Sequence, residues 1–402
     1  MRIAYITYEF PPDTGKGGIG TYVKQIAGAM AALGADVHVF AGSPVRSSTI
    51  FCNGYNVHWV QCRDGFIYRQ AVLSSFKLEH SRHSFDFMES PEIGANALLI
   101  KKMFPALPLV VRLHAPNYLV ESLKKKYIPL TAKLRFVAGA VKKLKWDLGY
   151  WRKYDKFQDE DYHFTLLADH ITAPSQAMKN WVVKYWELPG EQINIIPNIF
   201  DPVAALLNIP VSESTPFKRV TFFGRLNVLK GLINATKAMK RILLQYPDWQ
   251  FRLIGDDENG PYHGITMKEW ISKELQPVLQ RVEFIEGLGY ELIPGAIAGA
   301  EIVLLPSLFE SFSYTCIEAM AAGKAIVGSR AGGMADLLEH EKSGLLVDPE
   351  SENEIYVALK RLISDNDLRF SLSVSAREQV LSRHNCRTAS KLFFDYYNKL
   401  VS

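Results

Sequence analysis

Two hydrophobic rhythms alternate along this chain. Short apolar runs read as buried strands, and apolar residues three or four apart read as one face of a helix. Ile3-Ala4-Tyr5-Ile6-Thr7 is the first strand, followed by the loop EFPPDTGKGGIG. Val23, Ile26, Ala27 and Met30 then predict a helix from about Thr21 to Ala32, with Gly34 as its stop. DVHVFAG is the next strand, and Leu109 to Leu113 and His170 to Ala173 read as further ones. The pattern lapses from Pro202 to Pro216, a stretch with a third proline at 210. It resumes at Arg219 to Phe223, a strand that again meets a glycine turn and a helix. Phe251 to Ile254, Val282 to Ile285, Ile302 to Pro306 and Lys324 to Val327 supply four more strands, and Ser371 to Leu400 reads as helical. Alternating strands and helices predict two α/β units with largely parallel sheets, split near 202–216. Two such domains facing each other would make a cleft, and parallel sheets bind ligands at the carboxyl ends of their strands.

Composition narrows this picture. With 402 residues, 48% of them hydrophobic, the chain is globular and large enough for two cores. No run approaches the roughly 18 apolar residues of a membrane span. The opening MRIAYITYEFPP is interrupted too early for a secretory signal, so a cytoplasmic protein is expected. Cys52, Cys62, Cys316 and Cys386 form no C-x-x-C pair, which speaks against a disulfide framework or a structural zinc site. The net charge of +4 conceals an asymmetry. Residues 1–200 hold 24 Lys+Arg against 17 Asp+Glu, whereas 201–402 hold 22 against 25.

The surplus concentrates in residues 121–156, with 11 Lys+Arg and three acidic residues. There Leu130, Leu134, Val137, Val141, Leu144, Leu148 and Trp151 recur at helical steps, with Trp146 and Tyr150 nearby. Three readings remain open: contact with an anionic membrane, binding of an anionic saccharide, or a solvated face on a core-facing helix. Nucleic-acid binding lacks both the overall charge and a reader motif.

Three constellations carry chemistry. Gly15-x-Gly17-x-x-Gly20 matches the dinucleotide fingerprint only formally, because Glu9-Phe10-Pro11-Pro12-Asp13 intervenes after its strand and the second strand ends at Ala41-Gly42-Ser43 without an acid. Glycines before a helix still leave N–H groups suited to phosphate or developing negative charge, unless the loop is merely a flexible surface one. In Phe222-Phe223-Gly224-Arg225-Leu226-Asn227-Val228-Leu229-Lys230-Gly231, two cations lie five positions apart in a strand-to-helix turn. They could clamp a diphosphate, or decorate the surface. In PSLFESFSYTCIEAMAAG (306–323), Glu310 lies in a loop, a helix starts near Ser313 to Thr315, and Glu318 falls in its first turns. Two carboxylates there suit two hydroxylated groups of one ligand. Asp159-x-Asp161 and Asp365-x-Asp367 lack the flanking strand of a metal-binding D-x-D, so no metal is expected.

These motifs resemble those of the retaining GT-B glycosyltransferases of family 4, which include glycogen synthases and bacterial mannosyl- and glucosyltransferases. The likeness rests on FFGRLNVLKG, the E-x7-E pair Glu310 and Glu318, and PSLFESFSYTCIEAMAAGKAIVGSRAGGMADLL at 306–338. GGIGTY (17–22), RLHAP (112–116), IPNIFD (196–201) and GLLVDP (344–349) extend it over nearly the whole chain.

The resemblance implies a GT-B fold of two Rossmann-like α/β/α domains. Residues 1–201 would form the acceptor-side domain, 202–216 a linker, 217–375 the nucleotide-sugar domain, and 376–402 a helix crossing back to the first domain. It implies that Arg225 and Lys230 hold the donor diphosphate, with Gly224 in the same turn. Glu318 would bind the ribose, and Glu310 the sugar hydroxyls at C3 and C4. His114 would sit near the reacting sugar, unless it is a neutral core histidine. Gly17, Gly18 and the amides of Phe312-Ser313-Tyr314 would approach sugar or phosphate. Gly255-Asp256 and Gly287-Leu288 would receive the base.

The reaction implied is metal-independent, retaining transfer of a hexosyl unit from a nucleoside-diphosphate sugar. UDP-glucose-like donors are favoured and a GDP-sugar is the alternative. The acceptor would be a saccharide or lipid-linked saccharide in polysaccharide or glycolipid synthesis; if 121–156 contacts an anionic membrane, the cytoplasmic enzyme would be peripheral on the inner face of the cell membrane. A hydrolase or epimerase on the same fold, or a non-catalytic nucleotide-sugar binder, are the competing readings. Two departures stand out: Ser311 and Ser313 replace family glycines, and Ile199 and Phe200 follow Asn198 where a glycine is common.

Overall fold

The first sheet starts from a fully buried strand, β1 (Arg2–Thr7), as expected when helices cover both faces of a parallel sheet. The structure is a computed structural model and describes all residues except 16, 144–150, 152–153, 212–216, 263, 385 and 402. Leu144, Trp146, Leu148, Tyr150 and Pro216 therefore lie outside the described residues. The sheet continues with β2 (Asp36–Ser43), β3 (Ser48–Cys52), β4 (Tyr55–Gln61), β5 (Phe87–Pro91), β6 (Leu109–Arg112), β7 (His170–Ala173) and β8 (Ile193–Ile195). Its order is β3-β4-β2-β1-β5-β6-β7-β8, with only β3 antiparallel. Strand order reverses between β1 and β5.

The second sheet holds β9 (Arg219–Phe223), β10 (Gln250–Ile254), β11 (Val282–Ile285), β12 (Ile302–Leu305), β13 (Ala325–Ser329) and β14 (Leu345–Val347). Its order, β11-β10-β9-β12-β13-β14, is the doubly wound 3-2-1-4-5-6 arrangement, all parallel, with its switch point between β9 and β12. Val220, Phe222, Leu253 and Leu304 from the strands join Met239, Ile242 and Leu359 from the helices in one core.

The predicted strands were found within a residue or two, and the first helix begins at Gly18, three residues early. The stretch 371–400 is two helices, Asn366–Arg383 and Cys386–Val401.

Two compact units emerge from the contacts. The first contains residues 1–117, 155–201 and 383–402, and the second 118–154 and 202–382. The terminal helix Cys386–Val401 thus belongs to the first unit. Its Tyr397 hydroxyl donates to Glu89 at 2.6 Å, and Tyr22 donates to the other oxygen at 2.7 Å. Residues 118–154, inside the expected stretch 1–201, group with the second unit. The cause is local: Leu123 and Tyr127 pack on the second core, and Lys126 pairs with Glu350 at 3.0 Å.

The helix Leu130–Lys142 in this segment contains no buried residue. Leu130, Leu134 and Val141 are 64%, 54% and 51% exposed, so the core-facing reading of this stripe does not hold in the described residues. No helix among the described residues is long and apolar enough to cross a membrane.

Candidate active site

The donor candidates line four adjacent strand ends of the second sheet. At the end of β9, the Asn227 side chain accepts from the Lys230 N–H at 3.2 Å and shapes the short turn Val228–Lys230. The helix Leu232–Gln245 starts directly after Gly231. Lys230 Nζ donates to Glu310 Oε1 at 2.5 Å. That bond joins the turn after β9 to the loop after β12, across the point where strand order reverses. Ser307 Oγ donates to the same oxygen at 2.8 Å.

The main chain of Glu310 is equally fixed. The Gly333 N–H donates to its carbonyl at 2.6 Å. A Cβ on Gly332 would lie 2.3 Å from that carbonyl oxygen, so the missing side chain at Gly332 is what lets Glu310 settle there. Lys230 and Glu310 are three-quarters or more buried, which makes their pair stronger than a solvated one.

Arg225 is placed differently. Its side chain is 61% exposed and pairs with Glu258 at 3.0 Å, while Asn227 Nδ2 donates to the other Glu258 oxygen at 2.6 Å. Arg225 and Lys230 thus share a turn but lean on different carboxylates. Glu258 was not foreseen, since nothing in the sequence pairs it with position 225.

Ser313 caps the helix Tyr314–Ala321 by accepting from the Cys316 N–H at 3.3 Å. The serine that departs from the family glycine therefore has a structural task. Phe312 is buried and meets Tyr314 edge-on at 5.3 Å. Glu318 lies on the same helix among Ala319, Ala321 and Ala322, and burial pushes its carboxyl up to about 7. Gly255-Asp256 and Gly287-Leu288 follow the paired strands β10 and β11. The Gly255 N–H donates to Ile285 at 3.0 Å, Gly224 donates to Ile254 at 2.9 Å, and Gly287 donates to Asp256 Oδ1 at 3.2 Å. The strand ends from Gly224 to Gly287 are thereby tied into one rim.

The remaining candidates belong to the first unit. Gly17 caps the helix Gly18–Ala32 without a side-chain bond, and the first turn has no acidic residue. A Cβ on Gly18 would meet nothing within 4 Å. His114, two residues past β6, is 7% exposed and lies edge-on to Tyr22 at 5.3 Å. Its Nε2 is buried without a protein partner. Burial, aided by Arg112, holds its pKa down to about 3, so the ring is neutral at ordinary pH. Arg112 is itself fully buried between the rings of Tyr22 and Phe393, donating to Ile196 O at 2.7 Å and Asn198 Oδ1 at 2.5 Å.

Among the described residues, His38, His58 and Glu79 bring ligand atoms within 4.8 Å of one another. The Arg2 guanidinium lies 3.2 Å from His38 Nε2 and 3.9 Å from Glu79, so a metal ion there would face a fixed positive charge. Asp159 accepts from Asp161 N–H at 2.9 Å and caps the helix Glu160–Thr165. Asp365 likewise accepts from Leu368 N–H at 2.9 Å. Both D-x-D matches thus begin with a residue bound to a local main-chain N–H.

Two doubly wound sheets, the second with paired cations and carboxylates along its switch point, define the class: a GT-B enzyme that handles a nucleoside-diphosphate sugar. Comparison with known families agrees. The model for Glycosyltransferase Family 4 matches residues 16–203, and that for Glycosyl transferases group 1 matches 210–379. The chain belongs to this family of glycosyltransferases, which move a sugar from a nucleoside-diphosphate donor to a saccharide or lipid acceptor. An uncharacterized glycosyltransferase of Methanocaldococcus jannaschii is 23% identical over 419 residues, 99% of this chain and 98% of its own. Sucrose-phosphate synthase from Thermosynechococcus elongatus matches in structure with a TM-score of 0.74 at 20% identity, over 99% of this chain and 98% of that one. The Anabaena protein HepE in complex with UDP-glucose matches with a TM-score of 0.67 at 18% identity, over 99% and 100% of the chains.

Proposed function

We propose that the chain is a retaining hexosyltransferase that uses UDP-glucose or a close analogue and glycosylates a saccharide or lipid-linked saccharide. The observation that carries this reading is the Lys230–Glu310 bond across the switch point of the second sheet. One of three ammonium protons serves Glu310, and the others are available to phosphate oxygens. Arg225 adds a second cation at the mouth of the same turn. Glu318 accepts from the ribose, Glu310 from sugar hydroxyls, and the rim from Gly255 to Leu288 receives the base. In this reading the first unit supplies the acceptor-side groups, Gly17, Gly18 and the neutral His114.

In the transfer step the anomeric C–O bond to phosphate breaks, with oxocarbenium-like charge on the sugar. Arg225 and Lys230 offset the charge on the departing diphosphate. The acceptor oxygen bonds to the anomeric carbon on the same face, and its proton passes to the departing phosphate oxygen. The test is incubation of the full chain with UDP-glucose or GDP-mannose and a panel of sugars and glycolipids, followed by NMR of the product. An α-linked product from UDP-glucose is expected. A β-linked product overturns retention, and turnover of GDP-mannose alone overturns the choice of base.

The acceptor reading extends to a membrane. Leu130, Leu134 and Val141 form an outward stripe with Lys133, Arg135 and Lys142 on the same helix, chemistry that fits an anionic lipid surface. The enzyme is accordingly expected to float with phosphatidylglycerol vesicles at low salt, and less at physiological salt. Leu134→Glu should abolish flotation. Failure of the unaltered chain to bind these vesicles at low salt would remove the membrane from the proposal.

A further inference from the structure

The loop that carries His114 is held by carboxyl groups rather than by apolar packing alone. The His114 main-chain N–H donates to both oxygens of Glu92, at 2.8 and 2.9 Å. Glu92 directly follows β5, the neighbour of β6, and is completely buried. Three residues past His114, the Asn117 N–H donates to Asp161 Oδ2 at 2.9 Å. Asp161 Oδ1 accepts from the Gly94 N–H at 3.1 Å. One carboxyl group therefore pins the loop at 114 and the other at 117, and both anchor in the 92–94 turn or beside it.

This is an expensive way to fix a loop. Neither Glu92 nor Asp161 has an ion-pair partner among the described residues, and Asp161 is only 2% exposed. Burial, with Asp161 nearby, pushes Glu92 up to about 8, and burial raises Asp161 to about 6. Polar carboxyls buried without an ion pair cost stability that an apolar side chain would not. What they give in return is geometry. Two acceptor oxygens converge on one N–H, beside a histidine whose ring rests on Tyr22 and whose Nε2 has no protein partner.

We propose that Glu92 is a positioning residue for sugar transfer, setting His114 through its main-chain N–H while Asp161 braces the far end of the same loop. The inference rests on the reading of His114 as a group beside the reacting sugar. Its test uses the full chain labelled with 13C at histidine Cε1, with the His114 resonance assigned from His114→Ala. In the unaltered protein that resonance is expected not to titrate between pH 5 and 8, in keeping with a pKa near 3.

In Glu92→Leu it should shift and titrate, while the His38 and His58 resonances stay fixed and UDP affinity is unchanged. Glu92→Gln, which keeps one acceptor oxygen, should give an intermediate shift. A His114 resonance unmoved in both variants overturns the proposal, as does equal disturbance of all the histidines in both. UDP release from UDP-glucose is followed in parallel. Glu92→Leu should lower turnover by up to about 10²-fold, the scale of a small misplacement. In the His114→Ala background it should add nothing further. Full turnover in His114→Ala would instead refute the role of His114 itself, leaving the resonance data to judge Glu92 separately.

Discussion

Lys230→Ala is expected to lower sugar transfer by about 10²–10³-fold, the scale of removing one preorganised group that offsets developing charge. The enzyme should stay folded, because Lys230 contributes an ammonium to the strand-end loops and little to the core. The loss should fall mainly on kcat, since charge on the diphosphate grows as the anomeric bond breaks. Glu310→Gln makes the contrasting case. It removes the negative charge that now holds Lys230 at 2.5 Å, so UDP itself should bind a few-fold tighter. Transfer should nonetheless fall, because the amide accepts hydroxyl bonds less well than the carboxylate. Calorimetry with UDP and initial rates with UDP-glucose measure the two sides. A Lys230→Ala enzyme with full activity would remove the diphosphate role. Equal weakening of UDP binding in both variants would mean that the pair acts only as a structural tie.

The donor half of this machinery was legible in the sequence because its residues sit within two short stretches. Arg225, Lys230, Glu310 and Glu318 each follow a strong apolar strand, and the turn chemistry between strand and helix is local. What could not be read was the tie between the two stretches. The Lys230–Glu310 bond spans 80 positions and follows from β9 lying beside β12. The seat that Gly332 makes for Glu310 depends on the same topology. In the first unit the obstacle was different. β5 reads FMESP, with a glutamate and a proline that disguise a fully buried strand, so Glu92 was not seen at a strand end. Asp161 stands in the sequence only as half of a D-x-D match with no flanking strand, and its carboxylate reaches 44 positions back to Asn117. The terminal stretch looked like one helix because its apolar spacing runs through the break after Arg383. Ser313 stands out in the sequence only as a departure from a family glycine, and the helix N–H that its hydroxyl satisfies is seen only in the fold.

The second large effect is expected at Gly231, where sequence and topology meet most tightly. Its φ of +70° lies in the left-handed region, and it joins the turn that carries Lys230 to the helix Leu232–Gln245. A Cβ there would sit 1.8 Å from the Pro306 carbonyl oxygen and 2.8 Å from its carbon, both main-chain atoms that cannot swing aside. Gly231→Ala must therefore push the end of β12 away from the turn after β9, the approach that brings Lys230 to Glu310. The expected cost is on the order of 4 kcal/mol, in the severe range for a point substitution. UDP affinity should fall at least about tenfold, as the switch point opens. Gly264→Ala separates the two causes. Gly264 also has a positive φ, +81°, but a Cβ there meets nothing within 4 Å, so only the conformational cost of about 1 kcal/mol applies. Gly139→Ala, inside the exposed helix Leu130–Lys142, should stabilise by roughly 0.5–1 kcal/mol. Denaturant unfolding and UDP titration of the three variants give the ranking. If Gly231→Ala proves no worse than Gly264→Ala, the loops after β9 and β12 have slack between them, and the close approach at the switch point is not what holds Lys230 against Glu310.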